Sequence, residues 1–194
     1  MDKISYALGV NIAESLKQQG FSLNSYEDFT AAVKDVYEGN VKMQPQEIGE
    51  VLNAEFTRVQ EQVHAAKIEE GKAFLAENAK RDEVTVLPSG LQYEVIKEGH
   101  GPIPKADDTV TTHYHGTLPD GTVFDSSVQR GQPASFPVSG VIKGWVEALQ
   151  LMPTGSKWRL YIPSDLAYGA QGAGKDIGPH QALVFDIELL DIKK

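Results

Sequence analysis

The sequence contains no cysteine, which excludes disulfides, thiolate metal centres and a cysteine nucleophile. It contains no apolar run long enough to cross a bilayer as a helix. Basic residues are scarce, with 18 Lys and Arg against 27 Asp and Glu and a formal net charge of −9. Binding to nucleic acid or to an anionic membrane needs clustered cations that neutralise phosphate, so neither is expected as a partner. The opening residues, MDKISYALGV, lack a basic region followed by a long apolar stretch. This predicts no signal peptide and a cytoplasmic protein, or a periplasmic one if the chain is a trimmed mature form.

Proline is nearly missing from the first part of the chain. Residues 1–83 hold only Pro45, and the other nine lie in 84–194. Glycine divides five to thirteen at the same place. A proline-poor stretch reads as helical, and a turn-rich one as β structure. With 41% hydrophobic and 23% charged residues, the chain can bury a core and is not expected to be disordered.

Three helices are predicted in the first part. Ile4, Leu8, Ile12 and Leu16 recur every four residues over Lys3–Gln19, and Gly20 supplies a stop. Ser25, three residues before Asp28, resembles a capping box for a second helix that ends at Gly39-Asn40. Its apolar face is Phe29, Ala32, Val33, Val36 and Tyr37. A third helix starts at Pro45, a residue suited to the first turn, and runs to about Lys80. Its stretch Glu61–Gly71 is polar around most of the circumference, which predicts either a solvated spacer, with His64 in water, or a segment that is not a stable helix. The two short helices carry too few large side chains to bury a core alone, so pairing with a second copy is expected. The predicted organisation is a helical dimerisation module at 1–44, a long connecting helix at 45–82, and a β-rich domain at 83–194.

In the last part, Leu91, Tyr93 and Val95 alternate as in a strand, and so do residues 111–115, 158–162 and 183–189. Pro119-Asp120-Gly121 predicts a turn between two strands. One short helix is expected over Gly144–Leu151. The fold class is therefore α+β.

Four segments carry a more specific signal: Thr112–Ser127 (THYHGTLPDGTVFDSS), Val141–Met152 (VIKGWVEALQLM), Ile162–Gly169 (IPSDLAYG) and Gly178–Leu190 (GPHQALVFDIELL). In this order and spacing they resemble the FKBP-type peptidyl-prolyl cis–trans isomerase domain. The segment DKISYALGVNIAESLKQQG resembles the dimerisation part of bacterial two-domain FKBPs, the group of the 22-kilodalton FKBPs and macrophage infectivity potentiators. The resemblance implies an antiparallel sheet wrapped on one short helix, with an aromatic pocket that receives a proline ring. The matching catalytic positions are Tyr114, Phe124, Asp125, Ile142, Trp145, Tyr168 and Phe185. Arg130, Phe136, Val141 and Ile177 match positions that bind substrate or inhibitor. It further implies a homodimer through the N-terminal helices, unfolded or partly folded protein clients with chaperone-like binding, and macrolide inhibitors such as rapamycin. The chain departs from the commonest family pattern at Ala134, where a pocket-edge aromatic is frequent, and at Ala173-Gly174, where small relatives have His-Pro. Both departures bear on substrate preference and inhibitor affinity.

The reaction suits such residues. Turning an X–Pro bond breaks no covalent bond, and its barrier of ~18–20 kcal/mol is lost amide resonance. The catalyst needs neither nucleophile, metal nor cofactor, only a site that prefers the twisted amide to the planar one. Asp125 either touches substrate or only holds its loop; in both cases a carboxylate beside an apolar pocket needs partners, and Arg130 and the Tyr114 hydroxyl are the candidates. The alternative to an enzyme is an FKBP-domain chaperone or scaffold whose catalysis is incidental. His113 and His115 share one strand face, but a metal site would need further ligands that no spacing supplies.

Overall fold

The computed structural model describes residues 1–193. The element order is α1 (Lys3–Gln18), α2 (Tyr26–Glu38), α3 (Pro45–Asn78), β1 (Val84–Val86), β2 (Gln92–Lys97), β3 (Thr109–Thr117), β4 (Val123–Ser126), β5 (Ala134–Pro137), α4 (Lys143–Leu149), β6 (Lys157–Ile162) and β7 (Leu183–Lys193). Two compact units result, Met1–Val63 and His64–Lys194, and the break between them falls inside α3.

In the first unit, local chemistry sets the helix ends. Asp2 caps α1 by accepting from the Ser5 N–H at 2.8 Å, and Ser25 caps α2 by accepting from the Asp28 N–H at 3.1 Å. Both helices finish in the same way. Gly20 and Gly39 take left-handed conformations, and the next residues, Phe21 and Asn40, reach back to the carbonyls of Leu16 and Asp35. Phe21 packs edge-on against Phe56 of α3, with ring centroids 4.6 Å apart. Beyond this the unit has almost no interior. Val59 is its single buried apolar residue among those described, while Ile4 is 73% and Leu8 59% exposed.

The second unit is built on a seven-stranded, wholly antiparallel sheet in the order β1-β2-β6-β7-β3-β4, with β5 pairing on β3. β4 and β5 share one edge of β3, meeting residues 115–117 and 109–112. The alternation expected from sequence is realised: Val110, Thr112, Tyr114 and Gly116 point inward from β3. So do Leu183, Phe185, Ile187 and Leu189 from β7. α4 buries Trp145, Ala148 and Leu149 in the same cluster. The Pro119-Asp120-Gly121 turn is present, closed by the Gly121 N–H on the Leu118 carbonyl and the Thr122 N–H on the Asp120 carboxylate. Strands β1 and β5, of three and four residues, were not anticipated; they are too short to show a period.

The second half of α3 differs from the solvated spacer expected. His64, Lys67, Ile68, Gly71, Phe74 and Leu75 are half-buried, and Asn78 is buried. Their spacing of three and four residues forms one face that lies on the β domain. Phe74 sits 6.1 Å from the Tyr161 ring, and His64 meets His180. At the helix end, the Asn78 side chain donates to Gln92, and Gln92 donates to the Leu75 carbonyl, both at 2.8 Å. Arg81 then bridges Asn78, Tyr161, Glu83 and Glu94. The helix backbone comes close to the sheet at Gly71, where a Cβ would sit in ordinary contact with that of Ala182, 3.6 Å away.

Candidate active site

The sheet is concave around α4, and at one end the concavity stays open. The cavity there measures about 660 Å³, within the range of small-ligand sites. It is lined by Tyr114 of β3, Phe124 and Asp125 of β4, and Phe136 of β5. Val141, Ile142 and Trp145 come from the start of α4, and Phe185 from β7. Tyr168 and Ile177 come from the loop between β6 and β7. Ten of the eleven residues singled out in the sequence thus share one wall. The eleventh, Arg130, stands behind Asp125.

Trp145 forms the floor. It is 4% exposed, and three rings meet it nearly at right angles: Phe185 at 5.2 Å, Tyr114 at 5.5 Å and Phe136 at 5.9 Å. Edge-to-face contact places the positive rim of one ring on the negative face of another, so the cluster is rigid as well as apolar. Phe124 closes one side by standing edge-on to Phe185 at 5.3 Å. This packing requires Gly116, because a Cβ there would fall 2.6 Å from the Phe124 ring and 2.8 Å from the Phe185 ring.

A hydrogen-bonded polar group forms part of the wall. The Tyr114 hydroxyl donates to Asp125 at 2.5 Å and accepts from Arg130 at 2.7 Å, while Arg130 also donates to the Asp125 carboxylate. The guanidinium lies 5.6 Å from the Tyr114 ring centroid, in cation–π range. Burial pushes the Asp125 carboxyl up, but the bonds from Tyr114 and Arg130 outweigh it and leave its pKa below the ordinary value. Burial and the hydrogen bond to Asp125 raise the Tyr114 phenol. The group therefore stays as one carboxylate, one neutral phenol and one guanidinium at neutral pH, with no proton poised for transfer.

Gly140, Ala173, Gly174 and Asp176 also line the cavity. Of these, Gly140 and Asp176 were not singled out in the sequence; the only signal is that they adjoin Val141 and Ile177. Ala134 lies outside the lining, packed on the core from β5. His113 and His115 point to the other sheet face, where their Nδ1 atoms meet the Ser127 and Ser126 hydroxyls at 3.1 and 2.9 Å.

A bowl walled by aromatic side chains over an indole floor is shaped to hold an apolar ring. The fold and the site are of the kind expected from the family that the sequence resembles, an antiparallel sheet around one short helix with an aromatic cavity.

Comparison with known proteins agrees over the whole length. The family model for the FKBP-type peptidyl-prolyl cis-trans isomerase matches residues 101–190, and that for the domain amino-terminal to it matches residues 1–95. The FKBP-type 22 kDa peptidyl-prolyl cis-trans isomerase of Escherichia coli is 47% identical, over 97% of this chain and 93% of that protein. The outer membrane protein MIP of Legionella longbeachae is 42% identical, over 100% of this chain and 86% of that one. The crystal structure of FkpA from Escherichia coli superposes with a TM-score of 0.77 at 40% identity, covering 98% of this chain and 93% of that chain. The chain belongs to the FKBP-type peptidyl-prolyl cis–trans isomerase family, in its form with an amino-terminal helical domain. It is an isomerase of X–Pro bonds, and the alternative of a scaffold with incidental catalysis is not favoured.

Proposed function

We propose that the X–Pro bond turns in the aromatic cavity, with the proline ring on Trp145 between Phe124 and Phe185. The gathering of these side chains in one bowl supports this reading. The planar amide is the more dipolar form. Removing it from water into an apolar bowl penalises it relative to the twisted one, which lowers the barrier without any bond being made. Tyr168, at the rim, and the backbone N–H of Ile142, at the start of α4, hold the flanking carbonyls. Phe136, Val141 and Ile177 complete the wall, and the Asp125–Tyr114–Arg130 group braces the β4 side.

The same cavity receives macrolide inhibitors such as rapamycin. The clients are unfolded or partly folded proteins, and two chains pair through α1 and α2 to present two cavities to one client. The support for pairing is the exposure of Ile4, Leu8, Ile12, Val36 and Tyr37 on helices that bury nothing. A two-fold contact buries the same patch from both copies.

Phe124→Ala and Asp125→Ala test the site. Each is expected to lower kcat/KM on a proline-containing tetrapeptide at least about fivefold with the thermal melt still cooperative. Wild-type rates in both would place the reaction elsewhere.

A further inference from the structure

The wall of the cavity made by the β6–β7 loop is its least self-supporting part. Residues 169–178 include four glycines, at 169, 172, 174 and 178, and the first three take positive φ. Internal ties are few. Ala173 and Ile177 exchange two backbone hydrogen bonds of 2.8 and 3.2 Å, and the His180 N–H donates to the Gly169 carbonyl at 2.8 Å. Gly172 must be glycine, because a Cβ would lie 2.3 Å from the Ile177 carbonyl oxygen. A glycine-rich segment has much conformational freedom to lose, so what holds it from outside matters.

The outside support is α3. His180 ends the loop with φ of 56°, the only non-glycine residue at positive φ among those described. Such a conformation persists where the surroundings fix it. The His180 N–H is tied to the Gly169 carbonyl, and the His180 ring meets the His64 ring of α3, 5.2 Å away and inclined at 61°. Seven residues along the same helix face, Gly71 lies against Ala182 at the base of β7. The helix therefore touches the loop at its return into the sheet, and the bond from His180 to Gly169 carries the restraint to the residue beside Tyr168.

We propose that His64 is a positioning residue for the isomerase reaction: by packing on His180 it holds the loop that brings Tyr168 and Ile177 to the cavity. This rests on the reading that the aromatic cavity is where substrate binds. A loosened loop must be ordered at each binding event, so the loss falls on binding rather than on the turning step.

The test uses the full chain with His64→Ala, His64→Phe and, separately, Phe124→Ala. Aromatic contacts of this kind predict a KM for the tetrapeptide raised about threefold to tenfold in His64→Ala. The kcat stays within about twofold of wild type. His64→Phe keeps an aromatic ring on His180 and restores KM. The amide resonances of Ala173 and Ile177 shift in His64→Ala and return in His64→Phe. A His64→Ala enzyme with wild-type KM, even at a lowered melting temperature, overturns the proposal, and so does a His64→Phe enzyme no better than His64→Ala. If Phe124→Ala is itself without effect, the underlying assignment of the cavity fails instead, so the two failures are told apart.

Discussion

Gly116→Ala is a one-carbon probe of the catalytic bowl. Gly116 is buried on β3, facing Asp125 of β4 on one side and Phe185 of β7 on the other. Its backbone is ordinary strand, so alanine is not opposed by φ, and in a strand it is favoured over glycine by roughly 0.5–1 kcal/mol. Against this stands the clash. The new methyl would lie 2.6 and 2.7 Å from two atoms of the Phe124 ring and 2.8 Å from one of Phe185. Phe185 is 5% exposed and wedged against Tyr114, Phe124 and Trp145, so it has nowhere to go. Phe124 is half-buried and swings instead, toward the cavity mouth. Overpacking of this kind costs about 1–3 kcal/mol, which leaves a net loss of roughly 1–2 kcal/mol after the backbone gain. A domain of this size then melts roughly 4–7 °C lower. A ring displaced by several tenths of an ångström at the reacting surface lowers kcat/KM about tenfold. Calorimetry and a protease-coupled tetrapeptide assay read the two effects. Wild-type values in both would refute the packing argument for this wall.

Three further outcomes are expected. Asp125 has a folded pKa below its ordinary value, so its contribution to stability is present above that value and is lost as pH falls through the lowered one. The stability gap between wild type and Asp125→Asn, read by urea titration, is therefore expected to narrow from about pH 6 to about pH 2; because the carboxylate is 43% exposed the gap is small, below ~1 kcal/mol, and a gap that does not change with pH would contradict the ion-pair account. Rapamycin at a hundredfold excess over its Kd is expected to stabilise the native state by about 2.7 kcal/mol and raise the melting temperature on the order of 10 °C, and no shift would mean that the Ala173-Gly174 loop closes the site to it. Leu8→Glu with Ile12→Glu is expected to turn a dimer into a monomer by light scattering, to leave tetrapeptide kcat/KM unchanged and to slow proline-limited refolding of a protein; a wild type already monomeric would end the two-fold reading.

The periodic parts of the molecule were legible in the sequence. The four-residue recurrence in α1, the serine before α2 and the alternation in β3, β6 and β7 each reflect a local rule that the fold obeys. Most of the cavity residues were legible for a different reason: of the ten singled out, all but Phe136 and Ile177 sit in four segments whose order matches a family, and the fold then gathers the ten from four strands, one helix and one loop. What sequence did not reveal is long-range. The stretch Glu61–Gly71 reads as polar because His64, Lys67 and Gly71 are not hydrophobic letters. Yet an imidazole can pack edge-on, a lysine stem can lie along a surface, and a glycine can admit a neighbour. Gly116 gave no local sign either, since its constraint comes from Phe124 across the β3–β4 hairpin and from Phe185 far along the chain on β7.

The way α3 ends on Gln92 bears on how this enzyme can be spliced. The composition changes near residue 83, which invites a cut there in any exchange of modules between isomerases. Such a cut strands the Gln92 carboxamide, which is 4% exposed and has Asn78 and the Leu75 carbonyl as its partners. Each buried polar group left unmatched costs about 1–3 kcal/mol. It also strips Phe74 from Tyr161 and takes Arg81 away from Tyr161 and Glu94. A recombinant that inherits the helix from His64 onward keeps all of these. The transferable cassette is thus longer than the catalytic fold itself, and it carries half a helix as part of its own interior.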